Sequence, residues 1–135
     1  MIQAITETSL EVNIQTEDNR INTSVASTQI RHLFKFTNDM DKTVYYAYAF
    51  IETIKARFTE ALFVYNSSPN IYSGQINFLP SGYYKYEVYE VSWIGTVTVS
   101  SGNAPATEDD VLSPAANTKG VVQGLVTKGK MNVSD

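Results

Sequence analysis

Cysteine is missing from the 135-residue chain. That excludes a disulfide framework, thiolate metal sites and thiol nucleophiles, and leaves packing as the source of stability. Histidine and tryptophan occur once each, so no imidazole cluster can be assembled within one chain, and for the lone histidine no triad partners at suitable spacing can be nominated. Positive charge is also thin: ten Lys and Arg stand against 14 Asp and Glu, a formal net charge of −4. No five-residue stretch concentrates the cations, so the electrostatic footprint of a nucleic-acid binder is missing. No long uncharged apolar run is present either, which excludes a membrane-spanning helix. The opening "MIQAITETSLEVN" has neither a basic n-region nor an apolar h-region. The expectation is a chain made and kept in a cytoplasm unless it leaves as part of something larger.

What is present is core material. Hydrophobic residues make up 43% and aromatics 12%, enough for one domain with a real core and too short a chain for two. Every aromatic residue falls between Phe34 and Trp93. That asymmetry divides the chain into a packed domain over 1–101, a Ser-, Gly-, Ala- and Pro-rich linker over 102–117, and a C-terminal segment over 118–135.

Within the domain, period two dominates. "SLEVNIQ" (9–15) sets Leu10, Val12 and Ile14 against polar neighbours, and "QIRHLFKFT" aligns Ile30, His32, Phe34 and Phe36 on one face. After the hairpin-length turn "NDMDK" (38–42), "TVYYAYAFIE" places Val44, Tyr46, Tyr48 and Phe50 on one face and Tyr45, Ala47, Ala49 and Ile51 on the other. Such a strand is covered on both sides or central in its sheet. "ARFTEALFVY" (56–65) fits a strand or a short helix, with strand favoured by its Phe, Val, Tyr and Thr. "GQINF" (74–78) and "GTVTVS" (95–100) complete a set of short strands without a convincing amphipathic helix. The fold expected is an all-β, immunoglobulin-like antiparallel β-sandwich with an extended C-terminal arm.

"INFLPSGYYKYEVYEVSW" (76–93) carries the most specific pattern. From Gly82 onward, Tyr84, Tyr86, Val88 and Glu90 share one face, while Tyr83, Lys85, Glu87, Tyr89 and Val91 share the other. Pro80, Gly82 and Tyr84 together resemble the tyrosine corner of immunoglobulin-like sandwiches, whose hydroxyl bonds back to an upstream backbone group. A plain strand after a Pro-Gly turn is the alternative. Tyr46, Tyr48, Phe50, Tyr84 and Tyr86 are expected in the core because each belongs to an alternating apolar set. Tyr83 and Tyr89, beside Lys85 and Glu87, are the candidates for contact with a partner, although cross-strand packing on a solvated sheet accounts for them equally well.

Catalytic chemistry finds no foothold. His32 follows the parity of Ile30 and Phe34 and reads as a hydrogen-bonded structural histidine. The acidic residues Glu17-Asp18, Asp39/Asp41 and Glu108-Asp109-Asp110 sit in turn-like or linker contexts without a calcium-loop spacing. Phosphate-cradling glycine loops and nucleophile elbows are missing. No catalytic, cofactor-binding or metal-binding residue is nominated, and the expectation is a non-enzyme without cofactors.

The C-terminal segment "TKGVVQGLVTKGKMNVSD" (118–135) offers Val121, Val122, Leu125 and Val126 for contact but no aromatic anchor. Glycines at 120, 124 and 129 weigh against a helix. The expectation is an arm that adds as a strand to a neighbour's sheet edge. Folding back as an edge strand of its own domain is the competing reading.

The stretches "YSGQINFLPSGYYKYEVYEV" and "VLSPAANTKGVVQGLVTKGKMNV" resemble small Ig-like virion proteins of tailed bacteriophages of the crAss-like type, over the second half of the chain. The resemblance implies a structural particle component, either an auxiliary capsid protein or a subunit at the head-to-tail junction. Its partners would be the major capsid protein or connector and tail proteins in a large symmetric assembly, with neither nucleic acid nor membrane, and its place the virion, assembled in the host cytoplasm. The alternative of a different class is an Ig-like glycan-binding or adhesion module that stacks sugar on Tyr83, Tyr89 and Trp93.

Overall fold

The structure, a computed structural model, describes residues 2–14, 21, 27–54, 59–79, 81–94, 97–110, 112 and 119–135. Pro80, Glu17 and Asp18 lie outside the described residues. Alternation of apolar and polar side chains produces nine strands among them: β1 (Ile2–Ile5), β2 (Leu10–Ile14), β3 (Ile30–Asn38), β4 (Val44–Tyr48), β5 (Ile51–Ile54), β6 (Thr59–Tyr65), β7 (Gln75–Ile76), β8 (Gly82–Ser92) and β9 (Val121–Ser134). They build an all-β sandwich. One sheet has the order β1-β9-β8-β3-β4, the other β2-β6-β5, and β7 pairs with β6. Pairing is antiparallel except for β1 with β9 and β6 with β7.

The core lies between the sheets. Phe34, Phe36, Tyr84, Val88, Met131 and Val133 face Leu10, Val12, Ile14, Ala61 and Phe63. Phe63 presents its ring edge-on to Phe34 and Phe36, with centroids 4.9 and 5.9 Å apart. Each such pair adds about 0.5–1.5 kcal/mol beyond area burial.

Five expectations are corrected. The C-terminal arm is β9: its residues Val121–Ser134 pair with β8 along its whole length and with β1 at the far end, so it is an interior strand. It contributes Val126, Met131 and Val133 to the core. Neither a free arm nor an edge strand describes it. The glycines that made it look unpartnered admit neighbours instead. A Cβ on Gly129 would lie 2.5 Å from the Tyr86 hydroxyl oxygen, so the Tyr86 ring occupies the place a side chain would take.

Second, the single strand expected over 43–52 breaks after Tyr48, and the chain crosses to the other sheet as β5. Phe50 sits at that crossing and is 58% exposed rather than buried. The backbone of Gly74 packs so closely there that a Cβ would lie 2.0 Å from the Phe50 amide nitrogen, and its φ is +68°. Only glycine fits this corner.

Third, residues 97–100 form no strand; Val97 and Val99 instead pack against a second apolar cluster made of Leu33, Tyr48, Val91, Trp93 and Ala104. Fourth, only Gln75 and Ile76 of 74–78 are in a strand. Fifth, the segment expected as linker is partly structural: Tyr48 donates to the Pro105 carbonyl at 2.6 Å, and the Trp93 indole donates to the Asn103 carbonyl at 3.2 Å.

Candidate interaction surface

Strand parity fixes what the outer face of the larger sheet displays. Along β8, Tyr84 and Val88 point into the core, which leaves Tyr83, Lys85, Glu87, Tyr89 and Val91 on the opposite side. The β8–β9 register sets Tyr83 opposite Asn132, Lys85 opposite Lys130, Glu87 opposite Lys128, Tyr89 opposite Leu125 and Val91 opposite Val122. Two irregularities, between Val88 and Tyr89 and between Glu90 and Val91, insert extra residues in β9. The first one turns Val126 inward, where it is 5% exposed. Val126 therefore belongs to the core and not to the surface.

The segment around 97–110 lies over one half of this face. Leu33, Tyr48, Val91 and Trp93 are fully buried beneath it. Glu108 fastens it, accepting from Lys35 Nζ at 2.6 Å and from the Tyr46 hydroxyl at 2.5 Å. Burial pushes the Glu108 carboxyl up, but the hydrogen bonds from Lys35 and Tyr46 outweigh it and hold the group below the usual carboxylate range. The hydrogen bond to Glu108 raises Lys35, and burial followed by the same carboxylate raises Tyr46 to about 12.

The other half is open. Tyr83 is 56% exposed there, and Lys85, Lys128 and Lys130 are exposed beside it. With Tyr86, Glu87 and Gly129 these lysines line a shallow concavity of about 500 Å³. Tyr89 stands at the border of the two halves: it is half-buried against the second cluster, and its hydroxyl donates to Glu87. Burial, then that bond, raises its hydroxyl. Leu125 is 44% and Val121 50% exposed, with Val122 half-buried between them.

The structure thus brings Tyr83, Tyr89, Val122 and Leu125, assigned from sequence to separate parts of the molecule, onto one face. The lysines in their midst escaped the sequence reading because β9 was taken for an arm. Their signal was present as Lys128 and Lys130 at strand spacing.

The corner residues are placed as follows. Tyr84 is fully buried; burial raises its hydroxyl, and a hydrogen bond from the side chain of Asn38, the last residue of β3, draws it partly back. Gly82 has a φ of +127° at the entrance to β8. His32, 2% exposed, is held by Glu52. Among the described residues no group of three or more His, Asp or Glu side chains is arranged to hold a metal ion.

Fold and surface together define a class: an all-β sandwich with a mixed lysine–tyrosine sheet face. No protein-family model matches the chain, and neither a curated protein nor a solved structure matches it.

Proposed function

We propose that this chain is a non-enzymatic structural protein of a tailed-phage particle: an immunoglobulin-like sandwich that docks on the shell as an auxiliary protein. The carrying observation is the half-open outer face of β8 and β9, where exposed Tyr83 and Leu125 flank three lysines. The strand orders support the immunoglobulin-like part of the reading. Within the five-stranded sheet the run β9-β8-β3-β4, and in the other sheet β2-β6-β5, follow the order of strands G, F, C, C′ and B, E, D in such sandwiches, with β1 added in parallel beside β9. With β9 filling its own sheet, contact with neighbours falls to the sheet face, and the arm plays no part in it.

Co-sedimentation with purified particles tests the proposal. Tyr83→Ala combined with Leu125→Ser is expected to keep the wild-type melting midpoint and to lose incorporation. Undiminished incorporation overturns docking through this face. Recovery with tails rather than with filled heads would move the protein to the head-to-tail junction.

The glycan-binding alternative finds less support. Its platform needs adjacent exposed rings, but Trp93 is fully buried and the Tyr89 hydroxyl is engaged by Glu87.

A further inference from the structure

We infer that Lys85, Lys128 and Lys130 form a recognition site for an acidic protein segment in extended conformation. The inference rests on the docking role proposed above and gives its partner a chemistry.

The register places Lys85 directly opposite Lys130. Like charges facing each other across a ladder are destabilising, so folding alone gains nothing from this pair. Lys128 lies two residues from Lys130 on the same face, opposite Glu87, but the Glu87 carboxylate is engaged by the Tyr89 hydroxyl. None of the three ammonium groups has an acceptor or ion-pair partner among the described residues. The other described lysines do: Lys35 donates to Glu108 at 2.6 Å, Lys42 to the Asp39 carbonyl at 2.9 Å and Lys119 to the Gly102 carbonyl at 2.7 Å. The contrast singles out this face. General basicity does not account for it, because the chain carries a net charge of −4.

Geometry and surroundings choose the partner. Lys128 and Lys130 are separated by two residues of strand, about 7 Å, which matches carboxylates on alternate residues of an extended chain. Lys85 sits about 5 Å across the ladder and completes a triangle. The apolar groups at the two ends, Tyr83 and Leu125, suit side chains flanking the acidic positions, as in a protein interface with charged and aromatic parts. Nucleic acid fits less well: its phosphates form a continuous line of charge, and here Glu87, opposite Lys128, interrupts the cations.

The experiment uses the full chain and three probes, poly-L-glutamate, a single-stranded oligodeoxynucleotide and heparin, each titrated at low and moderate salt. Wild type is expected to bind poly-L-glutamate most tightly and to weaken as salt rises. The double variant Lys85→Glu/Lys130→Glu should lose about tenfold or more in affinity, the effect expected of reversing contacting charges, with an unchanged or slightly higher melting midpoint. Lys119→Gln should behave as wild type. Absence of poly-L-glutamate binding, or binding indifferent to the double variant, overturns the inference. Tighter binding to the oligonucleotide or heparin overturns it as well, by assigning the face to phosphate or sulfate. The two proposals fail separately: triad-dependent poly-L-glutamate binding by a protein that never joins a particle leaves the acidic site standing and removes the phage role. Incorporation that survives Lys85→Glu/Lys130→Glu keeps the role and removes the site.

Discussion

Glu52 of β5 grips His32 of β3 with both carboxylate oxygens: Oε1 accepts the His32 main-chain N–H and Oε2 meets ring Nδ1, each at 3.0 Å. Both side chains are buried. β4 has left the sheet at this level, so the His32 N–H faces no neighbouring strand, and a side chain from the other sheet satisfies it. One residue thereby locks the two sheets together where the chain crosses between them. Glu52→Ala leaves a buried donor unpaired and should cost about 2–3 kcal/mol in urea unfolding, while Glu52→Gln, which keeps an oxygen for the N–H, should cost about 1 kcal/mol. Equal midpoints for Ala and wild type would show that the grip contributes nothing.

Gly74→Ala should be more damaging than an ordinary surface substitution. The added methyl would meet the Phe50 backbone at 2.0 Å in a residue held at φ +68°. A loss of about 2 kcal/mol or more is expected, from strain and backbone displacement together. A thermal melt decides it, and a midpoint within a degree of wild type would contradict the close approach.

Tyr84→Phe removes a buried hydroxyl that meets Asn38 and should destabilise by on the order of 1 kcal/mol. Asn38 also accepts from the amides of Met40 and Asp41, at 2.8 and 3.1 Å. Asn38→Ala should therefore cost more than Tyr84→Phe. The reverse order would place the weight on the tyrosine alone.

Deleting the chain after Gly120 removes β9 from between β1 and β8 and takes Val126, Met131 and Val133 out of the core. The truncated protein is expected to be unfolded by circular dichroism. In the intact chain, amides of 121–134 should be as slow to exchange as those of 82–92. Rapid exchange confined to 121–134 would restore the picture of a free arm.

Glu108 gives stability a dependence on acid. Its folded pKa lies below the ordinary 4.5, so the ionised form favours the folded state. That contribution is complete above the ordinary value and is lost as pH falls through the lowered one. Glu108→Gln should be less stable than wild type at pH 7, with the difference shrinking below about pH 4. A constant difference from pH 7 to pH 3 would remove Glu108 as the source.

Some of this was legible in the residues. The alternation in 30–37 and 83–91 marked β3 and β8 and told their two faces apart, and Tyr84 was placed inside on parity alone. Tyr46, Tyr48 and Phe50 show the limit of parity. Equal spacing assigned all three one fate, yet Tyr46 lies half-exposed under Glu108, Tyr48 is buried beneath the 97–110 segment, and Phe50 is exposed at the sheet crossing. Periodicity reports which residues share a side, while coverage depends on segments distant in the chain.

Local pattern, then, determined that this protein is built of strands and which of their faces are apolar. Tertiary structure decided where β9 goes. An aromatic-free, glycine-bearing strand shows little local signal, and it becomes an interior strand where Val126, Met131 and Val133 enter the core, the Tyr86 ring lies over Gly129 and β1 and β8 pair on either side. The same decision created the lysine face. Lys85 and Lys130 are 45 positions apart in sequence, and they meet because burying Tyr84, Val88, Val126, Met131 and Val133 on the core side sets the register of the β8–β9 ladder, a pairing between distant segments that neither strand specifies alone.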